Sequence, residues 1–146
     1  MTAISLVTPE DQPHLLAIER RAHAFPWSEQ TFSSNQGERF VNLRLQAEGK
    51  LAGFAITQVV LDEASLFNIA VDPDFQRRGY ARQLLQHLIA ELEAREVMTL
   101  WLEVRASNHP AIALYEQLDF HQVSVRPNYY PTANGREDAI IMALTL

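Results

Sequence analysis

The feature that most constrains this chain is the stretch NIAVDPDFQRRGYARQLL, Asn68 to Leu85. It begins inside an apolar run, Leu66 to Val71. It ends in a helix pattern whose leucines, Leu84, Leu85, Leu88 and Leu92, fall with Ile89 on one side. Between them lies a polar, arginine-rich turn with a single glycine. The strand TLWLEV follows near residues 98–104, so strand, helix and strand form a crossover. Its two strands are expected to be parallel and adjacent, because such a connection carries the chain back to the same end of the sheet.

The rest of the chain predicts elements on both sides of that unit. Thr8-Pro9-Glu10-Asp11 reads as a helix start, with a Thr cap, Pro in the first turn and acids at the positive end of the dipole. Leu15, Leu16 and Ile18 give that helix an apolar face, and a second short helix is expected from Ser28. Phe40 to Ala47 alternates as a half-buried strand, Glu48-Gly49-Lys50 turns it, and Leu51 to Leu61 returns. Ala64 to Val71 is the third strand of this meander, its apolar end suggesting burial on both faces. A helix over Pro110–Leu118 and strands at Phe120–Val125 and Ala139–Leu144 complete the order βααβββαβαββ. The expectation is an α/β (α+β) domain spanning residues 1–146, with a mixed, mostly antiparallel sheet of six to seven strands and about four helices.

The turn invites an anion. A helix N-terminus leaves about four backbone N–H groups without intrahelical partners and carries positive dipole charge. Gly79 lets a ligand approach the backbone, Ala81 is small, and Arg77, Arg78 and Arg82 add charge. The loop Gln76-Arg77-Arg78-Gly79-Tyr80-Ala81 therefore suits a phosphate or pyrophosphate. It is neither G-x-x-x-x-G-K-[ST] nor G-x-G-x-x-G; an ordinary exposed βα turn is the plainer alternative.

Composition narrows the partners. The formal net charge is −6, which disfavours general binding of nucleic-acid phosphates. No apolar run approaches the roughly 20 residues of a membrane span. The first residues lack the basic-then-apolar pattern of a secretory signal. Cysteine is absent, which removes disulfides, thiolate metal sites and a thiol acyl-enzyme, and fits a cytoplasmic setting. The five histidines show no ligand spacing, so no metal is expected.

The pattern Q/R-x-x-G-x-G/A at residues 76–81 resembles the pyrophosphate loop of the GNAT acetyltransferases, which use acetyl-coenzyme A. WLEVRASN followed by AIALYEQLDF is similar to that family's second characteristic region. AFPWS, FNIAVDP, NYYP and GREDAIIM resemble, within it, the bacterial ribosomal-protein-alanine N-acetyltransferases. One position departs: the family usually has Leu-Gly-Phe where this chain has Leu118-Asp119-Phe120. Asp tolerates the left-handed helix cap less well than Gly, so a small stability cost is expected.

The resemblance implies the GNAT fold and acetyl-coenzyme A as co-substrate. It implies an acceptor that is the N-terminal segment of a basic ribosomal protein, attacked directly in a ternary complex. It also implies roles. Glu103, a charged residue in an apolar strand, is the candidate general base; the alternative is a structural ion pair with Arg105 on the same face. Tyr115 is the candidate acid, against a core aromatic packed beside Ile112. Ile69, Ala70 and Val71 would offer backbone groups to the coenzyme from a bulged or splayed strand, against plain sheet pairing. Asn108 would bond the coenzyme or cap the next helix. Phe25, Trp27, Tyr129 and Tyr130 read as loop aromatics walling the acceptor site, against ordinary loop packing. Glu137 and Asp138 could meet basic acceptor residues or simply be solvated. Two other readings stay open: acetylation of a small amine such as a polyamine or an antibiotic, and a non-catalytic acetyl-coenzyme A binder.

Overall fold

The computed structural model describes residues 1–146. Seven strands form one sheet in the order β1-β2-β3-β4-β5-β7-β6. They are β1 (Thr2–Leu6), β2 (Phe40–Ala47), β3 (Lys50–Val60), β4 (Glu63–Val71), β5 (Thr99–Arg105), β6 (His121–Thr132) and β7 (Gly135–Thr145). Helices α1 (Gln12–Ala22), α2 (Glu29–Ser34), α3 (Tyr80–Ala94) and α4 (His109–Gln117) complete the expected βααβββαβαββ order. All neighbouring strands are antiparallel except β4 and β5, which are parallel as the crossover requires.

Each face of the sheet has its own core. Leu84, Leu85, Leu88 and Leu92 of α3 are fully buried with Val41, Leu43 and Leu45 of β2. On the other face, Leu15 and Ile18 of α1 and Phe32 of α2 pack on Phe54, Ile56 and Ala70. Fully burying one such side chain stabilises by about 1.5–3 kcal/mol. Two apolar faces explain why β3 is buried without a break from Ala52 to Thr57, and why β2, which alternates in sequence, is buried at Val41, Asn42 and Leu43 in succession.

Helix starts follow the local chemistry, with one reversal. Ser28 caps α2 by accepting the Thr31 N–H at 3.2 Å. Thr8 does not cap in that sense. Its hydroxyl and its N–H both donate to Asp11 Oδ2, at 3.1 and 2.7 Å, across a short 3-10 turn at Pro9–Asp11, and α1 begins only at Gln12. The acid wins because it also accepts from Arg44 at 2.6 Å, which favours its charged form.

The last hairpin differs more. The strands expected at 120–125 and 139–144 extend to Thr132 and back to Gly135. Tyr129, Tyr130 and Pro131 therefore lie on β6 and not in a loop. Their register slips between Arg126 and Tyr130. There Asn128 takes a positive φ of 51° and its N–H donates to Asp138 Oδ1 at 3.0 Å. A side chain completing the ladder across an irregularity gives no signal in hydrophobic periodicity. No helix is long and apolar enough to cross a membrane.

Candidate active site

The crossover opens a cleft. β4 and β5 pair through four positions, from Glu63↔Thr99 to Leu66↔Leu102, and no further. A register shift against β3, from Ile56↔Asn68 to Thr57↔Leu66, leaves Phe67 as the extra residue and bends β4 away. β5 meanwhile follows β7, Glu103 facing Ile141 and Arg105 facing Ala139. Between the diverging ends lies a cavity of about 600 Å³, lined by Ile69, Ala70 and Val71 on one side and by Glu103, Val104 and Arg105 on the other. The β4 edge there has no strand partner on β5, so its backbone groups are free to pair with a ligand.

The phosphate-loop candidate closes one end. Gly79 sits before α3 with φ 80° and ψ 15°, and no side chain caps that helix. A Cβ at Gly79 would meet nothing within 4 Å, so glycine is there for its left-handed backbone rather than for lack of room. Gln76, Arg77, Tyr80 and Ala81 line the cavity with Gly79. Gln76 also braces the turn, its Nε2 donating to the Val71 carbonyl at 3.0 Å.

Two of the three arginines turn elsewhere. Arg78 lies 5.2 Å over the Phe75 ring and pairs with Glu48 at 3.3 Å. Arg82 donates to the Gln117 side chain. Neither lines the cavity, so of the three only Arg77 does. Asn108 caps α4, its Oδ1 accepting the Ala111 N–H at 3.3 Å, and the residue also lines the cavity.

Glu103 does not pair with Arg105. Its carboxylate lies 3.5 Å from Arg126 of β6. Arg105 instead reaches the hairpin, donating to the Pro131 carbonyl at 2.7 Å and pairing with Glu137 at 3.4 Å. Its guanidinium stacks between Phe25 and Tyr130, 5.0 and 4.6 Å from their centroids. Glu103 is left lining both the main cavity and a second one of about 590 Å³ on the far side, where Trp27, Phe67, Trp101 and Tyr129 form the walls.

Tyr115 packs as a core aromatic and also borders the cavity. It is 6% exposed and its ring lies against Phe120 at 5.6 Å. Burial, with a smaller contribution from Tyr130, pushes its phenol up to about 12. Tyr130, between the two cavities, is pushed up to about 12 as well, first by burial and then by the Glu103 charge.

Phe25 and Trp27 lie on the α1–α2 connection and line the main cavity; Trp27 packs edge-on against Phe32 at 5.2 Å. Tyr129 faces only the second cavity. Asp138 reaches neither, being spent on the β6 irregularity. Glu137 accepts the Ser107 N–H at 3.0 Å. The structure adds Glu19, His23 and Asn68 to the lining. Glu19 had a signal: it stands one turn after Leu15 and beside Ile18, an acid on the apolar stripe of α1.

A splayed parallel pair, an uncapped helix start at a positive-φ glycine, a carboxylate and a phenol thus meet on one cavity. The model of the acetyltransferase (GNAT) family matches residues 6–120, and the chain belongs to this family. It is 67% identical over 146 residues to the [ribosomal protein bS18]-alanine N-acetyltransferase of Salmonella typhimurium, covering 100% of this chain and 99% of the relative. The Escherichia coli K12 enzyme of that name is 66% identical with the same coverage. A crystal structure of the Escherichia coli ribosomal-protein-S18-alanine N-acetyltransferase superposes with a TM-score of 0.98 at 67% identity, covering 99% of this chain and 94% of that one. Arabidopsis thaliana NAA60 in complex with acetyl-CoA shares the fold, with a TM-score of 0.89 at 19% identity and coverage of 100% and 99%.

Proposed function

We propose that this chain transfers acetyl from acetyl-CoA to the α-amine of the N-terminal alanine of ribosomal protein bS18, in the cytoplasm and within one acetyltransferase domain. The observation that carries the reading is the cleft between β4 and β5. It brings the uncapped helix start at Gly79, the open β4 edge, Glu103 and Tyr115 to one cavity. The two relatives at 66–67% identity support the choice of acceptor.

The residues present suit acetyl-CoA as co-substrate. The N-terminus of α3, with Gly79 and Arg77, would hold the pyrophosphate. The edge of β4 at Ile69–Val71 would pair with the amide-bearing arm, as an added strand does. Asn108, already a cap, would contribute from the other wall.

The chemistry needs a neutral amine, because an ammonium has no lone pair to attack with. An α-amine has a pKa of about 7.7–8.0, against about 10.4 for lysine, so a carboxylate can deprotonate it, directly or through a water. Glu103 takes that proton. The amine nitrogen then attacks the thioester carbonyl, the C–S bond breaks as Tyr115 gives its proton to the departing thiolate, and the second proton that the nitrogen sheds on becoming an amide restores the phenol, so that the one net proton is the one held by Glu103. A phenol pushed up to about 12 stays protonated until then. Phe25, Trp27 and Tyr130 wall the acceptor side. The second cavity continues past Glu103 and gives a peptide a path outward, which favours a chain terminus over a small amine.

Mass spectrometry of two synthetic peptides with acetyl-CoA tests the reading. One begins with a free alanine and continues with the bS18 N-terminal sequence; the other has a blocked N-terminus and a free lysine. Acetylation of the first alone is expected. Acetylation of the second alone, or of neither, overturns the acceptor assignment.

A further inference from the structure

Three carboxylates that the chemistry above does not use are buried, Asp11, Glu19 and Asp72, and of these only Glu19 lines the cavity. Glu19 is 1% exposed, although it lies on a helix whose opposite side faces solvent. Each of its oxygens has a separate partner. Oε2 accepts the Trp27 N–H at 2.9 Å; Oε1 accepts from Asn68 Nδ2 at 3.0 Å and lies 3.4 Å from His23 Nε2.

These contacts join three segments through hydrogen bonds to one side chain. Trp27 belongs to the α1–α2 connection, which walls the acceptor side. Asn68 follows the bulged Phe67 on β4, one residue before the open edge at Ile69. Glu19 itself is fixed by the α1 core through Leu15 and Ile18. The connection from His23 to Trp27 has no regular secondary structure, so its backbone needs an outside acceptor to hold one conformation. A buried acceptor left without a donor, or a donor without an acceptor, is costly, which makes this arrangement all-or-none.

We infer that Glu19 is a positioning residue: it holds the Trp27 wall at a set distance from the bulge of β4, so that the acceptor amine and the thioester meet in register. The inference rests on the reading of Phe25 and Trp27 as the acceptor wall. It predicts that removing the carboxylate weakens use of the acceptor and leaves the binding of acetyl-CoA, held toward Gly79 and the Ile69–Val71 edge, unchanged.

The test is steady-state kinetics with the free-alanine peptide, beside acetyl-CoA titration, on four proteins. Trp27→Ala should raise acceptor KM; if it does not, the wall reading fails. Glu19→Ala should raise acceptor KM about tenfold, the effect of leaving buried donors unpaired, with acetyl-CoA affinity within about twofold of the parent. Glu19→Gln should stay near the parent, since Gln still accepts the Trp27 N–H and Asn68 can turn its amide to accept from it. If Trp27→Ala raises KM and Glu19→Ala does not, the inference falls while the wall stands. A Glu19→Gln as damaging as Glu19→Ala overturns it too, because charge and not hydrogen bonding would then be acting. Should Glu19→Ala fail to fold, Asn68→Asp sets two carboxylates together and should raise acceptor KM, and adding Glu19→Gln should restore it. No restoration sinks the inference.

Discussion

Leu66 stands opposite Leu102, and beyond that pair β4 and β5 never touch again as strands. Everything proposed for the site follows from this divergence. The bulge at Phe67 sends β4 toward β3, the ladder with β7 keeps β5 straight, and the space between receives Glu103 from one strand and the open edge of Ile69–Val71 from the other.

Beyond the bulge, the open end of β4 lies against β3 by a close approach that only glycine permits. A Cβ on Gly53 would lie 2.8 Å from the Ala70 carbonyl oxygen, a backbone atom with no room to retreat. Gly53→Ala should push β4 into the cleft, cost about 1–3 kcal/mol in urea unfolding and raise the acetyl-CoA dissociation constant. An unchanged dissociation constant would mean that the β4 edge does not hold the coenzyme.

Replacing Glu103 by Gln keeps the shape and removes the proposed base. Turnover with the alanine peptide should fall by about 10²-fold or more, with acetyl-CoA binding nearly intact. Unchanged turnover would return Glu103 to an ion-pair role with Arg126, its partner at 3.5 Å.

Tyr115→Phe should lower kcat with little change in either KM, because the ring stays packed on Phe120. An unaffected rate would leave Tyr115 as a core residue only.

The same phenol gives a stability signature. Its pKa rises on folding from 10.0 to about 12, so the folded state holds the proton more tightly than the unfolded chain. Its contribution is complete below pH 10 and is lost as pH rises through about 12; the total is roughly 2–3 kcal/mol for a shift of this size. Alkaline difference absorbance should show two of the four tyrosines, Tyr115 and Tyr130, ionising late. Four tyrosines titrating together near pH 10 would contradict the burial described.

Asp119 follows α4 with φ 73°, the left-handed conformation that glycine adopts freely. Asp119→Gly should therefore stabilise by about 0.5–1 kcal/mol in thermal or urea unfolding, with kcat unchanged. Destabilisation would mean that the Asp side chain contributes something the backbone argument omits.

Much of this molecule was legible in the chain. The spacing of Leu84, Leu85, Leu88 and Leu92 set α3, the apolar run before Gly79 set β4, and their order required β4 and β5 to be parallel neighbours. Gly79 and the uncapped start of α3 mark a candidate anion site because helix geometry alone leaves those N–H groups free. The pairing of motifs around Gln76–Ala81 and Trp101–Asn108 was enough to point to the family. These are local consequences of periodicity and backbone chemistry, and they survive folding unchanged. The tertiary structure decided what depends on which distant segment a side chain meets. It turned Arg78 and Arg82 away from the cavity, drew Arg105 to Glu137 and the β6–β7 hairpin, and left Glu103 facing Arg126. It put Tyr129 and Tyr130 on a strand, because Asp138 completes the ladder at Asn128. It also joined Glu19, Trp27 and Asn68, which lie up to 49 residues apart along the chain. No periodicity carries such a contact; only the packing of α1 against β4 creates it.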